Sequence, residues 1–468
     1  MSGTGDPDFE ESRDREFAPR KRRELVPWLR NAPPAKRPFY EDTWKDVCHH
    51  HMLNALYALC DLSREGIWPI ERWREALQAW SEKGSVRRAW RYAAPLVQTI
   101  PDAVIQEIVH SVSWWIEAAS KTVNQHKDIL FDLCRRILAL PLDSESSVRG
   151  GDGEPLEAPV TEAINHPVGH VTQALLDLWF QSSPNDGDRL PSDIEPFFTE
   201  LSDVTVRRFI HGRVLLGSRL IALFRVDRSW TERHLLPLFN WDNPIEAKAA
   251  WEGFLWSPRL HQPLLIAFKP QFLDCANHYA DLGEHARQFA AFLTYAALGP
   301  TEGYTVGELR TAIGALPQEG LEESAQAISQ ALEGAGDQRE DYWKNRIQPF
   351  WHYIWPKSRD MATPRVSEEL TRMVIAARSE FPAALAAVKD WLQPIEYPHY
   401  VVQLLAESNL CGRFPTDALD LLNLVIQDQG WTFGELDKCL DEISKAEPSL
   451  VAQPIYQRLL QHARKQNG

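Results

Sequence analysis

The chain has 468 residues, 44% hydrophobic and 25% charged, with 18 Trp and 19 Phe, an apolar bulk that a disordered chain lacks and that can supply a large core. Its 65 Asp and Glu outnumber its 50 Lys and Arg, giving a net charge of −15, so a polyphosphate backbone is repelled on average and nucleic acid is not the expected partner. Residues Met1 to Asp14 have no apolar run for a signal peptide, and nothing later approaches the ~18 apolar residues of a membrane helix, so a cytoplasmic location without a membrane partner is expected.

From residue 1 to 38 the sequence mixes acids with Arg20-Lys21-Arg22-Arg23 and Pro33-Pro34, which predicts a flexible charged arm whose basic tetrad is solvated. An N-terminal helical region is expected over 39–141. Its segments are Thr43–Leu62, Ile70–Ser81, Val104–Ala119 and Lys127–Leu140, with apolar residues recurring at i, i+3/i+4 and i+7. Pro101-Asp102 supplies a helix start, with a proline suited to the first turn and a carboxylate that complements the dipole. The Ser/Gly/acidic stretch Ser144 to Pro155, including Gly150-Gly151-Asp152-Gly153, reads as a linker or surface loop within 142–159.

Central helical repeats are expected over 160–341, with segments Val171–Phe180, Arg207–Phe224, Pro244–Trp256 and Phe289–Leu298. Asn165-His166-Pro167, Ser257-Pro258-Arg259-Leu260 and, further on, Thr363-Pro364-Arg365-Val366 read as helix starts. A C-terminal helical domain follows over 342–468, where Ala384 to Leu392, Val401 to Leu405 and Leu421 to Ile426 alternate with breaks at Pro398 and Cys411-Gly412. No run shows the period-2 alternation of a strand. Helix pairs that cannot bury their apolar faces singly stack on neighbours, so the expected fold is all-α, an irregular HEAT-like α-solenoid of antiparallel helix pairs. No consensus of fixed period can be written, which keeps irregular bundles as the alternative.

Chemistry-bearing patterns are sparse. Cys48, Cys60, Cys134, Cys275, Cys411 and Cys439 form no CxxC pair and read as buried thiols in a reducing compartment. Cys48 and His51 share a helix face beside His49-His50, but two ligands do not make a metal site. His166 and His170 stand one turn apart with Glu162 before them, yet Pro167 and Gly169 occupy the places a zinc-protease helix gives to other residues. The glycines at 150–153 precede Glu154-Pro155 instead of Lys-Ser/Thr, so they are no P-loop. Glu246-Ala247-Lys248 after Asp242 has nuclease letters, but Asn243-Pro244 opens a helix there. Gly217-Ser218 lies inside a helical pattern and lacks the surroundings of a nucleophile elbow. The expectation is a protein that is not an enzyme, with no catalytic residue, no cofactor and no metal ligand, and with a protein partner.

The densest local anomaly is Gln348 to Asp360, where Phe350, Trp351, Tyr353 and Trp355 precede the charged loop Lys357-Ser358-Arg359-Asp360. Trp351 and Trp355 share a helix face, which fits a core, while the competing reading is an aromatic and arginine anchor for a partner. Trp355, Lys357 and Arg359 are the candidate partner-binding residues.

This segment, with Trp391-Leu392-Gln393-Pro394-Ile395 and Pro398-His399-Tyr400, resembles a helical family of unknown function found at the C-termini of bacterial sirtuin-like anti-phage defence proteins. The likeness covers Tyr342 to Gly468, and Pro159 to Leu298 only in style. In such proteins an N-terminal sirtuin-like domain degrades NAD, and the helical region senses the trigger and restrains the enzyme. This chain lacks a Gly-Ala-Gly-Ile-Ser-like nucleotide loop and a Gln-x-Asp motif after a strand, and His211-Gly212 matches the sirtuin dipeptide by letters only. The resemblance therefore implies a stand-alone helical partner of such a system, or the regulatory half of a split gene, and it transfers no catalytic residue. The competing functional reading is a general cytosolic scaffold.

Overall fold

A computed structural model describes residues 14–31, 40–122, 125–142, 158–299, 303–427 and 434–464. The protein is all-α, built as irregular HEAT-like helix pairs in two compact units. One unit comprises residues 1–238 and 243–254, the other residues 239–242 and 255–468. The division between these compact units falls near 238–255. The loop expected over 142–159 lies mostly outside the described residues, although Pro159 already opens the helix Pro159–Asn165.

Each unit is two rows of helices. In the first, Trp44–His50, Ile70–Ser81, Val109–Ser120, Pro167–Gln181 and Ile210–Ser218 pack in succession. Behind them run Met52–Arg64, Val86–Val97 and Lys127–Ala139. In the second, Ala286–Leu298, Gln318–Gly334, Pro364–Ala376, His399–Glu407 and Gly434–Ala446 form one row. Gln348–Tyr353, Phe381–Val388, Pro415–Val425 and Pro454–Arg464 form its other row. This is the arrangement that amphipathic helices reach when each buries its stripe on the next pair.

Hydrogen bonds tie neighbouring helix pairs together. The Trp44 indole donates to the Arg72 carbonyl, 28 residues away, Trp80 to Cys48 at 32, and Trp90 to Gln125 at 35. In the second unit Trp351 donates to Ala387 at 36, Ser329 to Glu369 at 40 and Arg365 to Glu323 at 42. These bonds span 28 to 42 residues, and one pair of helices, Trp44–His50 and Ile70–Ser81, is joined across both 28 and 32, so the separations follow no fixed sequence period. Tryptophan suits these joints because its ring fills the seam between pairs while its N–H ties a carbonyl of the next.

Local sequence explains most helix ends. Thr305 and Glu308 form a reciprocal capping box, and the Thr363 hydroxyl accepts from Val366 N at 3.1 Å ahead of Pro364. At Pro167–Gln181 the cap is the His166 ring, whose Nδ1 accepts from Val168 N at 3.1 Å. Ser257-Pro258 does not start a helix, contrary to expectation; the next helix is Gln262–Ala267, with Pro263 in its first turn. Three long expected helices are broken. Thr43–Leu62 divides at His51 (φ −124°, ψ 38°), Val104–Ala119 at Ile108 (φ −107°, ψ 15°) and Arg207–Phe224 at Arg219 (φ −110°, ψ 14°). The apolar period runs through the breaks, so periodicity alone does not register them.

The expected loose arm is corrected over its described part. Arg22–Asn31 is a helix with Leu25 and Leu29 buried, packed on Met52–Arg64. Arg22 binds Asp61 through Nε at 2.6 Å, and Arg30 pairs with Glu65. Three-residue parallel strands, Asp14–Glu16 and Tyr40–Asp42, precede and follow it. The basic tetrad is thus partly structural. Lys21 meets Glu24 one turn on at 4.0 Å, whereas the acid of Arg22 lies 39 residues away in sequence, where local composition cannot register it.

Candidate partner-binding surface and buried polar clusters

The aromatic segment begins with a π-helical turn, Trp343–Ile347, which leads into Gln348–Tyr353. Pro349 explains the widening, since it lacks the N–H and its ring would collide with the carbonyl four residues back. Trp351 stacks on Trp355 at 4.9 Å and 19°, and Trp391 meets both edge-on at 5.8 and 5.5 Å. Trp351 Nε1 donates to the Ala387 carbonyl at 2.8 Å. The three rings form a rigid platform joining two neighbouring helix pairs.

Trp355 is only 1% exposed, so as a candidate contact residue it is corrected to core, because a ring enclosed by Phe350, Trp351 and Trp391 presents no face to a partner. Lys357 and Arg359 are exposed as expected. Lys357 Nζ donates to the Trp351 carbonyl at 3.2 Å, and Arg310 Nε donates to the Tyr353 carbonyl at 2.6 Å. Both cations therefore satisfy the end of the aromatic helix, where positive charge is favoured. Partial burial, and secondly Arg310, lower the pKa of Lys357. Arg359 pairs with Asp390 at 2.7 Å in the open, with both side chains more than half exposed. The aromatic that does face solvent is Tyr353, 51% exposed and edge-on to His352 at 4.5 Å. It was not among the expected contacts, because helical spacing marks the buried face but does not say which outer aromatic stays uncovered.

No family model matches the chain, and no solved structure matches it. A stretch of 123 residues is 28% identical to an uncharacterised protein, y4cA, of Sinorhizobium fredii (strain NBRC 101917 / NGR234), covering 25% of this chain and 10% of that protein. The chain therefore spans about a tenth of that relative's length.

The first unit encloses further polar clusters. His166 and His211 are buried and stack at 3.9 Å and 20°. Both His211 nitrogens and His166 Nε2 lack a hydrogen-bond partner among the described residues. Burial, with the neighbouring histidines His211, His110 and His170, pushes His166 down to about 2; burial, with Arg213, pushes His211 down to about 4. Beside them, His170 Nδ1 lies 2.6 Å from Glu117 Oε2. Burial raises the Glu117 pKa, but hydrogen bonds from His170 and Lys121 outweigh it and hold the carboxylate below its usual range. Arg213 and Glu246 form a buried bidentate pair at 2.7 and 2.6 Å, and Arg213 also donates to the Asp203 carbonyl at 2.8 Å. Glu246 is thus a structural counter-ion. His211-Gly212 lies inside the helix Ile210–Ser218, where a Cβ on Gly212 would come within 2.7 Å of Leu201 Cδ2. That glycine serves helix packing.

Cys48 is buried, His49 faces Glu82 at 3.3 Å, and His51 sits at the helix break, so the shared face expected for Cys48 and His51 is interrupted. All six cysteines are free and buried. Among the described residues no group of three or more His, Cys, Asp or Glu is placed to hold a metal, and no helix is long and apolar enough to cross a membrane.

Proposed function

We propose that this chain is a non-catalytic helical-repeat interaction protein, a sensor or regulatory subunit of a bacterial anti-phage defence system that works with a separate effector enzyme. The observation that carries the interaction reading is the strip of Tyr353, Lys357 and Arg359 held over the buried Trp351–Trp355–Trp391 platform. Tyrosine and arginine concentrate interface energy, and a rigid support reduces the entropy lost on docking. The defence assignment rests on the resemblance of Tyr342 to Gly468 to the helical region of sirtuin-like defence proteins. The partner in this reading is a sirtuin-like NAD-degrading enzyme, another effector, or a phage protein.

The test is the double variant Tyr353→Ala/Arg359→Ala in the native host. Anchors worth ~2 kcal/mol each correspond to roughly 30-fold singly and, if additive, to roughly 700-fold weaker partner capture in the double variant. Melting should be unchanged and phage protection lost. Undiminished capture together with undiminished protection would discard the surface.

A further inference from the structure

The stretch from Lys83 to Pro101 contains Lys83, Arg87, Arg88 and Arg91 and no Asp or Glu, in a chain of net charge −15. The three arginines are exposed on the helix Val86–Val97. With Trp90, Tyr92 and Gln125 they line a cleft of about 490 Å³. None of the three is paired with a carboxylate among the described residues. In another cleft Arg372 binds Glu333 at 3.0 Å and Glu369 at 3.1 Å, and Arg378 faces Asp337 at 3.7 Å, while Arg339 donates to the Glu333 carbonyl at 2.8 Å.

The arrangement works against the helix that bears it. Arg91 follows Arg87 by four residues and Arg88 by three, so the like charges are neighbours on one face. Arg87 and Arg88 also stand in the first turn, at the positive end of the helix dipole, where no acidic residue sits and Ser85 makes no side-chain cap. A bound anion relieves all of these repulsions together. Guanidinium groups present forked donors that match phosphate oxygens, and the volume falls within the roughly 300–1,000 Å³ of small-molecule sites. The walls are shaped for more than a bare ion. Trp90 Nε1 donates to the Gln125 carbonyl at 3.1 Å and fixes one side, while Tyr92, 40% exposed, offers a flat face with Arg91 5.5 Å from its ring centre.

We propose that this cleft binds a phosphate-bearing small molecule, its phosphate held by Arg87, Arg88 and Arg91 and a flat ring stacked on Tyr92. The site lies wholly within the first unit and stands whether or not the Tyr353 surface has a partner. The net negative charge of the chain repels long polyanions, while a local cluster of cations still attracts a compact one.

Calorimetric titration of the full chain at low salt with ADP, pyrophosphate and adenosine tests this. ADP and pyrophosphate should bind and adenosine should not. Arg87→Gln/Arg91→Gln should weaken ADP about tenfold or more. The same variant should melt no lower than the parent without ligand, since it removes a repulsion, and should lose the rise in melting temperature that ADP causes. ADP binding tighter than pyrophosphate, with the difference lost in Tyr92→Ala, supports the ring contact; equal affinity overturns that contact and leaves a phosphate site. No binding of ADP or pyrophosphate, or unchanged affinity in the double variant, overturns the proposal.

Discussion

Acidification should unfold the first unit through His166 and His211. In the unfolded chain each imidazole titrates near ~6.5; in the fold they are held down to about 2 and about 4. A depressed histidine pKa means that the unfolded state binds the extra protons, so stability is full above ~6.5 and falls as pH drops below that value. The fall continues towards the folded pKa of each ring. At pH 5 each ring contributes a loss of about 2 kcal/mol, about 4 for the pair, with a limiting slope of about 1.4 kcal/mol per pH unit per ring. Relief has no obvious route, because protonated His211 would face Arg213, and protonating His166 Nδ1 would break its cap on Val168. The perturbation is His211→Phe, which keeps a stacking ring and removes one proton site. Urea unfolding followed by circular dichroism from pH 7.5 to 4.5 should show the variant's stability falling less steeply, by about 1.4 kcal/mol per pH unit. Imidazole NMR of the parent should show His211 neutral at pH 5. A parent and variant with the same slope, or a His211 resonance titrating near 6.5, would refute the buried-neutral assignment.

Two further outcomes concern single side chains. Trp355→Ala should cost about 3–5 kcal/mol, because it removes a ring enclosed by three aromatics, whereas Arg359→Ala should stay within about 0.5 kcal/mol on the same thermal melts. An equal loss for both would contradict the division between platform and surface. Glu246→Ala should cost about 3–5 kcal/mol by leaving Arg213 charged and buried without its partner, and a melt within error of the parent would argue against a buried pair.

The fold class was legible because helical periodicity is a local property. Ile70–Ser81 was read with the bounds it has, and Lys127–Leu140 and Phe289–Leu298 to within a few residues. Backbone breaks were not legible. His51 and Ile108 interrupt helices whose apolar residues stay in phase on either side, and Ser257-Pro258 carries the letters of a helix start without forming one. The candidate surface was half legible. Aromatic density marked the segment, but Trp355 and Tyr353 differ only in which neighbours cover them. The arginine cleft had a sequence signal that composition over the whole chain conceals, namely nineteen residues, 83–101, without an acid.

By itself the sequence determined that the chain is helical, since 3.6-residue apolar spacing can bury its stripe in no other regular structure. It also determined that helices pair with near neighbours, since short connections allow little else. Only the tertiary structure decided which charges are spent inside the fold. Arg22 finds Asp61 and Arg213 finds Glu246 across 39 and 33 residues, whereas Arg87, Arg88 and Arg91 find no described carboxylate. Whether an arginine is neutralised inside the fold depends on what a neighbouring helix pair places beside it, and that register is set by packing.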